Sequence, residues 1–329
     1  MLLYSIRRLL ASILVLLASS ALVFVLTAQT VDPLSVYRTR QPPPSPIFIA
    51  QKRAELGLDK PIITRYWDWL SGVLHGNFGN NINGVPVGPT LLDKLAVTSR
   101  MVVAAMILAI VLAVVVGVVT AVRKNKASDY VATIISYILI ALPVFWFAVL
   151  LKVFVAIKFN ELVGKTLLYT ASEESPGIST YGTAGEVFKD RFQHLVLPTI
   201  ALAAITYAAW SRFQRASMLD VMSSEYMRFA RAKGLPYRKV LIKHGLRNAL
   251  IPTTTVVALG IGAIFGGAII TETVFNWNGM GRYLTQDGLG QNDLNVVTGW
   301  LVVSSFFIVL FNLIADLLYA VLDPRIRLS

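Results

Sequence analysis

Histidine, cysteine and the acidic residues most often carry catalysis or bind metals, and in this chain they form no recognisable site. There is no cysteine, which excludes thiol catalysis, disulfides and cysteine-ligated zinc. The three histidines, His75, His194 and His244, are scattered, without the i, i+4 pair of a helical metal site. The sequence has no GxxxxGK[ST] phosphate loop, no HExxH and no GxSxG. We therefore expect no enzyme activity, no metal and no cofactor on this chain; any ATP would be hydrolysed elsewhere.

Charged residues concentrate instead in the segment from Glu225 to Pro252, here called the basic elbow. Helical spacing through its first part and the residues just before it gives a polar face (Ser224, Arg228, Arg231) and an apolar face (Met218, Met222, Tyr226, Phe229). Gly234 predicts the end of that helix, and Pro236 suits the first turn of the next. The second helix carries a basic ridge of Lys239, Lys243 and Arg247. On these residues alone, the elbow either docks on a protein or binds anionic headgroups as a surface helix.

Composition indicates that a bilayer surrounds most of the chain. Of 329 residues, 55% are hydrophobic and 15% charged, whereas a soluble domain has about 25% charged residues. The net charge of +12 lies in short segments between apolar runs, which is the positive-inside pattern rather than a nucleic-acid surface. We predict an all-α integral membrane protein with both termini inside and six spans: Leu9–Ala28, Val97–Val122, Val131–Ile157, Leu195–Ser211, Ile251–Val274 and Val296–Leu322.

Several details of the spans carry expectations. The first is expected to be a retained helix, because its apolar run is longer than a signal-peptide core. Pro143 is expected to kink the third span, and Lys152 to snorkel to the outer interface. Asn312 and Asp316 in the last span are expected to face the helix bundle and pair with a neighbour. The two large polar segments, Val31–Thr90 and Asn160–Gln193, are predicted to lie outside, and Gly260 and Ala268 are among the small residues that allow close helix approach in the fifth span.

The elbow sequence, with ARAKG at 230–234 and RNALIP at 247–252, resembles the cytoplasmic coupling loop of type I ABC importer permeases, specifically the dipeptide, oligopeptide and nickel branch. Arg228-Phe229-Ala230 stands where the wider family has its EAA element, and the Gly-to-Pro spacing is longer; both departures are typical of the peptide branch. The resemblance implies the type I transmembrane fold and docking on a separate ATPase subunit through Glu225, Tyr226, Arg228, Ala230, Arg231, Ala232, Lys233, Gly234 and Leu235.

Three further stretches carry the same resemblance. The first outer loop has LGLDKP, RYWDWL and GNFG, with Asn77 where an acid is commoner; its aromatic residues fit either an interfacial belt or a substrate role. The chain end, LDPRIR at 322–327, is a second signature. The segment VFNWNGMGR at 274–282 resembles the VFxWPG-hydrophobic-GR motif, with Asn278 in place of proline. It implies an outer gate of Phe275, Trp277, Asn278, Gly279, Gly281 and Arg282, against the alternative of an ordinary turn with an interface tryptophan.

The resemblance also implies an assembly: a second, similar permease, two ATPase subunits that bind ATP and Mg²⁺, and an extracytoplasmic peptide-binding protein. It divides the chain into an N-terminal helix with its outer loop (1–92) and a permease domain (93–323) that contains the cytoplasmic loop 212–250. Two other classes are weighed against it. An ion-coupled secondary transporter would need paired carboxylates inside the membrane or discontinuous helices near its midplane. A membrane enzyme or signalling anchor would need a catalytic set or an output domain. Dipeptides, longer peptides, glutathione-like compounds and nickel complexes all stay open as substrates.

Overall fold

The computed structural model describes residues 2–38, 41, 42 and 44–322; side chains at 2–5, 36, 259, 261–263, 265–267 and 315–322 are outside the description. No strand occurs in the described residues, so the all-α prediction is confirmed for them. The helices are α1 (Leu2–Thr30), α2 (Ser35–Arg38), α3 (Pro46–Glu55), α4 (Ile62–Leu74), α5 (Val87–Val122), α6 (Ala127–Ala141), α7 (Val144–Leu150), α8 (Lys158–Val163), α9 (Ile178–Tyr181), α10 (Ala184–Ser223), α11 (Glu225–Ala232), α12 (Tyr237–Val240), α13 (Arg247–Val274), α14 (Met280–Arg282) and α15 (Leu294–Leu322). π-Helical segments follow α7 (Leu151–Ile157), α12 (Leu241–Leu246) and α14 (Tyr283–Leu289).

Long apolar helices dominate the chain. Within the described residues, those long and apolar enough to cross a membrane are Ile6–Thr30, Val87–Val122, Ala184–Ser223 and Leu294–Ile314. The bent pair formed by α6 with Val144–Val163 makes a fifth if it counts as one span. The predicted fifth span coincides with α13, where several side chains are outside the description. The Asp316 side chain and residues 323–327 of the LDPRIR signature also lie outside the described residues. The chain is thus a multi-pass membrane protein.

The third predicted span is broken rather than kinked. α6 ends at Ala141 and α7 begins at Val144, and the two are bent by 112°. Leu142 is extended, with ψ 131°, because a residue before proline avoids the helical region. Pro143 then becomes the N-cap of α7. The location of the bend was predicted correctly, but its size was not.

The fourth predicted span is much longer than expected. α10 has 40 residues, which corresponds to about 60 Å at 1.5 Å per residue. A capping box starts it eleven residues before Leu195: the Thr183 hydroxyl accepts from the Glu186 N–H, and the Glu186 carboxylate accepts from the Thr183 N–H at 2.9 Å. Pro198 lies inside the helix without ending it, and the helix stops at Ser224, which is extended.

The chain divides into two compact units, of which the first is built mainly from Ser99–Trp277. Its core is α10, packed most extensively on α13 and then on α6. At Gly260 a Cβ would lie 2.8 Å from the Trp210 ring, so the close helix approach predicted for the fifth span occurs there, and its partner is α10. Thr253 on α13 donates to the buried Gln214 of α10 at 2.5 Å. The two helices run antiparallel, and the basic elbow joins them.

The second unit comprises Ile6–Thr98 and Asn278–Val309. Its α4 packs on α1: Tyr66 and Trp69 lie 5.6 and 5.4 Å from the Phe24 ring, and the Tyr66 hydroxyl is 2.9 Å from that of Ser20. For the three aromatic residues of RYWDWL an interfacial belt and a substrate role were both open; two of them, Tyr66 and Trp69, pack on α1. Trp67 is exposed.

Candidate functional site

The first helix of the basic elbow, α11, follows a single extended residue. Ser224 has ψ 152°, so α11 does not continue the helical register of α10. As a result Met227 and Ala230 are its buried residues and pack with Val240, while Tyr226 and Phe229 are exposed. The apolar face predicted from one uninterrupted helix through Met218 and Phe229 is therefore wrong.

Gly234 ends α11 in the predicted manner. Its φ is +76°, and its N–H donates to the Arg231 carbonyl at 2.9 Å. Nothing lies within 4 Å of the position of a Cβ there, so the glycine is required by backbone conformation and not by close approach. Pro236 follows as the N-cap of α12.

The outer surface of the elbow is cationic and interrupted by apolar side chains. Arg231, Lys239 and Lys243 are exposed, and the Arg231 guanidinium lies 5.4 Å from the Tyr237 ring centre. Phe229 is 67% exposed and Ile242 63%. Among the nine residues predicted for coupling, Ala230 is buried and Leu235 partly buried; the exposed ones are Glu225, Tyr226, Arg228, Arg231, Ala232, Lys233 and Gly234.

One ion pair lies within this surface. Arg228 donates to Glu225 at 2.8 Å, and both side chains are 72% exposed. A pair in that position contributes little to stability. Both groups therefore stay accessible to a partner.

The elbow is fixed to the end of α10 by tight packing. A Cβ at Gly245 would lie 3.0 Å from the Met218 Cε and 3.3 Å from the Met227 Cε. Met218 also packs with Ala249 at the start of α13. A displacement of α11 would therefore be passed to α10 and α13 through buried contacts.

The predicted outer segment begins where α13 ends. Phe275 is buried against Leu151 and Leu197, and its carbonyl accepts from the Ser172 N–H at 2.9 Å. Lys152, predicted to snorkel, instead donates to the Val274 carbonyl at 2.8 Å. The positive φ of the turn lies at Asn276, at +50°, and not at a glycine.

The remaining predicted residues lie on either side of the boundary between the two units, which falls after Trp277. Trp277 is buried within the first unit, and its backbone N–H donates to the backbone carbonyl of Glu272 at 2.8 Å. In the second unit, Asn278 accepts from the Lys94 ammonium at 2.6 Å, and Gly279 is the N-cap of α14. Gly281 is buried in α14, and Arg282 donates to Gln286 at 3.0 Å.

A buried ion pair in the first unit was not predicted from the sequence. Asp129, in the first turn of α6, is buried and bound by Arg215 of α10. The pair brings the basic turn at 123–126 close to the end of α10 that leads into the elbow. An acidic residue beside an apolar run was the available signal, but the span was taken to begin only at Val131.

Two families match this sequence along its length. Residues 109–328 match the binding-protein-dependent transport system inner membrane component, and residues 1–90 match the N-terminal part of such a membrane component. The chain is 39% identical over 326 residues to the oligopeptide transport system permease protein OppB of Mycobacterium tuberculosis, with 99% of both chains covered. It is 36% identical over 327 residues to the oligopeptide permease AppB of Bacillus subtilis, covering 98% of this chain and 99% of AppB.

A third relative is the dipeptide transport system permease protein DppB of Escherichia coli. It is 37% identical over 293 residues, with 86% of each chain covered. These matches favour the predicted importer permease over an ion-coupled secondary transporter. The chain belongs to the inner-membrane components of binding-protein-dependent transport systems, the permeases of ABC importers.

Proposed function

We propose that this chain is one permease subunit of an ATP-driven importer of peptides. The names of the relatives, which are oligopeptide and dipeptide permeases, support the substrate class. The chain would form half of the pore with a second, homologous permease and receive peptide from an extracytoplasmic binding protein. Two separate ATPase subunits would bind ATP and Mg²⁺, and this chain would hold no cofactor.

The proposed topology has six spans with both termini in the cytoplasm. The Asp129–Arg215 pair supports it, because it holds the basic turn at 123–126 close to the end of α10. α10 and α13, antiparallel along the chain, then both extend from the elbow toward the buried Phe275 at the proposed outer end. We assign residues 1–92 to the N-terminal helix and outer loop, and 93–323 to the permease domain with its cytoplasmic loop 212–250.

The single observation that carries the coupling role is the division of α11 into a buried and an exposed side. Met227 and Ala230 attach the helix to the membrane domain. Arg231, Lys233 and Phe229 on the outside are free to contact a partner. Met227 and Ala230 already pack inside the chain, and the large apolar side chains that α11 leaves exposed are Tyr226 and Phe229, which is a narrow face for insertion into lipid. A cationic surface with exposed aromatic rings at Tyr226, Phe229 and Tyr237 fits an acidic groove on an ATPase.

The proposed mechanism is a rigid-body transfer. Closure of the ATPase dimer would move the elbow, and the contacts of Met218, Met227 and Gly245 would carry that movement into α10 and α13. ATP would favour one orientation of the pore only if the elbow contacts differ between the two orientations. The segment from Phe275 to Arg282, at the outer end of α13, is proposed as the gate that responds.

The test uses the complete transporter in vesicles, with peptide uptake and ATP hydrolysis measured together. The double variant Gly234→Val, Arg231→Glu is expected to lose uptake and the peptide-stimulated part of ATP hydrolysis. Lys189→Glu is the matched control: it reverses one exposed charge near the opposite end of α10 and should transport normally. Full transport by the double variant would contradict the coupling role.

A further inference from the structure

The second unit contains a cleft with two lobes that the proposed transport mechanism does not use. The lobes have volumes of about 350 and 310 Å³, and each is large enough for part of a small ligand. They share one wall, formed by Glu55, Leu56, Leu294 and Asn295. The cleft therefore lies between the first outer loop and the start of α15.

Hydrogen bonds hold the walls of this cleft in place. Asp293 accepts from the Ile82 N–H at 2.6 Å and from the Val296 N–H at 3.1 Å. Asn295 donates to the Asn80 carbonyl at 2.8 Å. Gly79 has φ +79°, and a Cβ there would lie 2.8 Å from the Asn295 amide nitrogen. These contacts between its walls fix the shape of the cleft within this unit.

The charges in the cleft are paired, with one exception among the cations. Lys60 binds Asp68 at 2.7 Å, and Lys52 binds Glu55 at 2.7 Å. Arg65, in the wall of the smaller lobe, is partly buried, and burial lowers the pKa of its guanidinium. Its side chain has no acceptor in the part of the chain that the structure describes. An unpaired guanidinium in a cavity favours an anionic ligand.

The rest of the lining is consistent with an anion that belongs to a larger molecule. The indole N–H of Trp69, in the wall of the Arg65 lobe, is buried and also lacks an acceptor. The other lobe contains the carboxylates of Glu55 and Asp293, and burial raises the pKa of Asp293. In the Arg65 lobe the Asp68 carboxylate is already paired with Lys60, which leaves the donors of Arg65 and Trp69 without acceptors among the described residues. Those donors, with the Glu55 carboxylate in the shared wall and that of Asp293 in the other lobe, complement a ligand that carries charges of both signs.

We propose that this cleft binds a peptide by its free C-terminal carboxylate, with the carboxylate at Arg65 and the rest of the peptide extending past Glu55 and Leu56. The choice of a peptide rests on the proposed import function. Lipid phosphate offers similar chemistry to an arginine, but the carboxylates in the neighbouring lobe disfavour a phosphodiester. They favour the ammonium group of a peptide.

The test is calorimetric titration of the full chain, in nanodiscs of neutral lipid, with trialanine. Arg65→Gln is expected to raise the dissociation constant at least ~10-fold, since a charge-assisted hydrogen bond is lost. Trialanine amide should bind the unchanged chain with a similar loss, and combining the amide with Arg65→Gln should cost little more. Arg53→Gln is the control, because Arg53 is exposed, pairs with Asp59 at 3.8 Å and does not line either lobe.

A second variant guards against misfolding of the first. Asn77→Asp adds a negative charge to the Arg65 lobe without changing the size of the side chain. In the unchanged chain the Asn77 side-chain oxygen accepts a hydrogen bond from the Gly79 N–H at 2.9 Å, and an aspartate can accept the same bond. It should weaken trialanine binding as well. Equal affinity for acid and amide, or unchanged binding by Arg65→Gln, would overturn the proposal.

Two further outcomes separate the alternatives. If anionic-lipid nanodiscs or inorganic phosphate abolish trialanine binding to the unchanged chain and to Arg53→Gln alike, Arg65 is a headgroup site and the proposal is overturned. Trialanine uptake by the complete transporter tests the import function separately. Binding without uptake would contradict the import function only, and uptake without binding to the cleft would contradict this proposal only.

Discussion

Arg215 on α10 makes two hydrogen bonds to the buried carboxylate of Asp129 on α6, at 2.7 and 2.8 Å. Asp129 also accepts from the Asn125 N–H at 3.0 Å. Arg215→Met would leave a buried carboxylate without its cation. We expect a loss of about 3 kcal/mol in the free energy of unfolding, because breaking one side of a buried pair costs more than the pair itself gains. Chemical unfolding of the purified chain in detergent measures it.

Two variants make that experiment specific. Asp129→Asn combined with Arg215→Met should recover part of the loss, since no unpaired charge stays buried. Arg212→Met removes a neighbouring arginine, exposed and lying 4.1 Å from the Tyr137 ring, and should cost only about 1 kcal/mol. Equal losses at Arg212 and Arg215 would contradict a special role for the ion pair.

The absence of cysteine from the chain makes the proposed topology directly testable. A thiol introduced by Lys239→Cys in the elbow should not react with a membrane-impermeant reagent added to intact cells. Lys189→Cys, exposed at the other end of α10, should react. In inverted vesicles the two results should exchange. Labelling of Lys239→Cys from outside intact cells would refute the topology and the ATPase contact together.

Local features of the elbow were predictable from sequence because they depend on single residues. Gly234 and Pro236 impose backbone conformations of their own, and the structure has the turn where they predicted it. The buried face of α11 was not predictable in the same way. One extended residue, Ser224, separates α11 from the helical register of α10 and brings Met227 inward in place of Phe229.

Contacts between residues far apart in the sequence could not be predicted from the spacing of residue types. The Asp129–Arg215 pair joins residues 86 positions apart, and Lys152 binds a carbonyl 122 positions away. The length of α10 is a different case. Its capping box, Thr183 with Glu186, is a readable helix start, but the polar character of residues 184–193 suggested a loop.

The close packing of α5 on α10 at Gly117 predicts that replacing glycine by alanine has opposite effects on stability at Gly117 and at Gly185. A Cβ at Gly117 would lie 2.8 Å from the Ser211 carbonyl oxygen and from the Gln214 side chain. Gly117→Ala should therefore destabilise the chain by about 1–3 kcal/mol, because backbone must move. Gly185→Ala, at a helical position with nothing within 4 Å, should stabilise it by about 0.5–1 kcal/mol. Thermal unfolding of both variants gives the signs, and a stable Gly117→Ala would contradict the packing.

The left-handed backbone at Gly234 predicts a graded series of variants. With no atom within 4 Å of a Cβ, the cost of replacement is conformational and amounts to about 1–2 kcal/mol for an ordinary residue. Asparagine tolerates this region best, so Gly234→Asn should nearly retain the protection of residues 225–240 from amide hydrogen exchange. Gly234→Ala should lose more, and Gly234→Val most. If valine and asparagine behaved alike, the positive φ would not be what the position requires.

The segment around Glu174 predicts a dependence on acid. Ser179 donates to the Glu174 carboxylate at 2.6 Å and Arg191 at 2.8 Å; the hydrogen bond from Ser179 is the main reason that its pKa is lowered from 4.5. A lowered pKa means that the stabilisation is complete above pH 4.5 and is lost as the pH falls through the lower value in the folded chain. We expect amide hydrogen exchange of residues 172–182 to accelerate in that pH window.

In the Glu174→Gln variant these residues should exchange faster already at pH 7 and respond less to acid, because the neutral amide loses about 1–2 kcal/mol of charge-assisted hydrogen bonding. Glu161→Gln, at an exposed position outside this cluster, should behave like the unchanged chain, and an acid response that survives Glu174→Gln would assign it to another group.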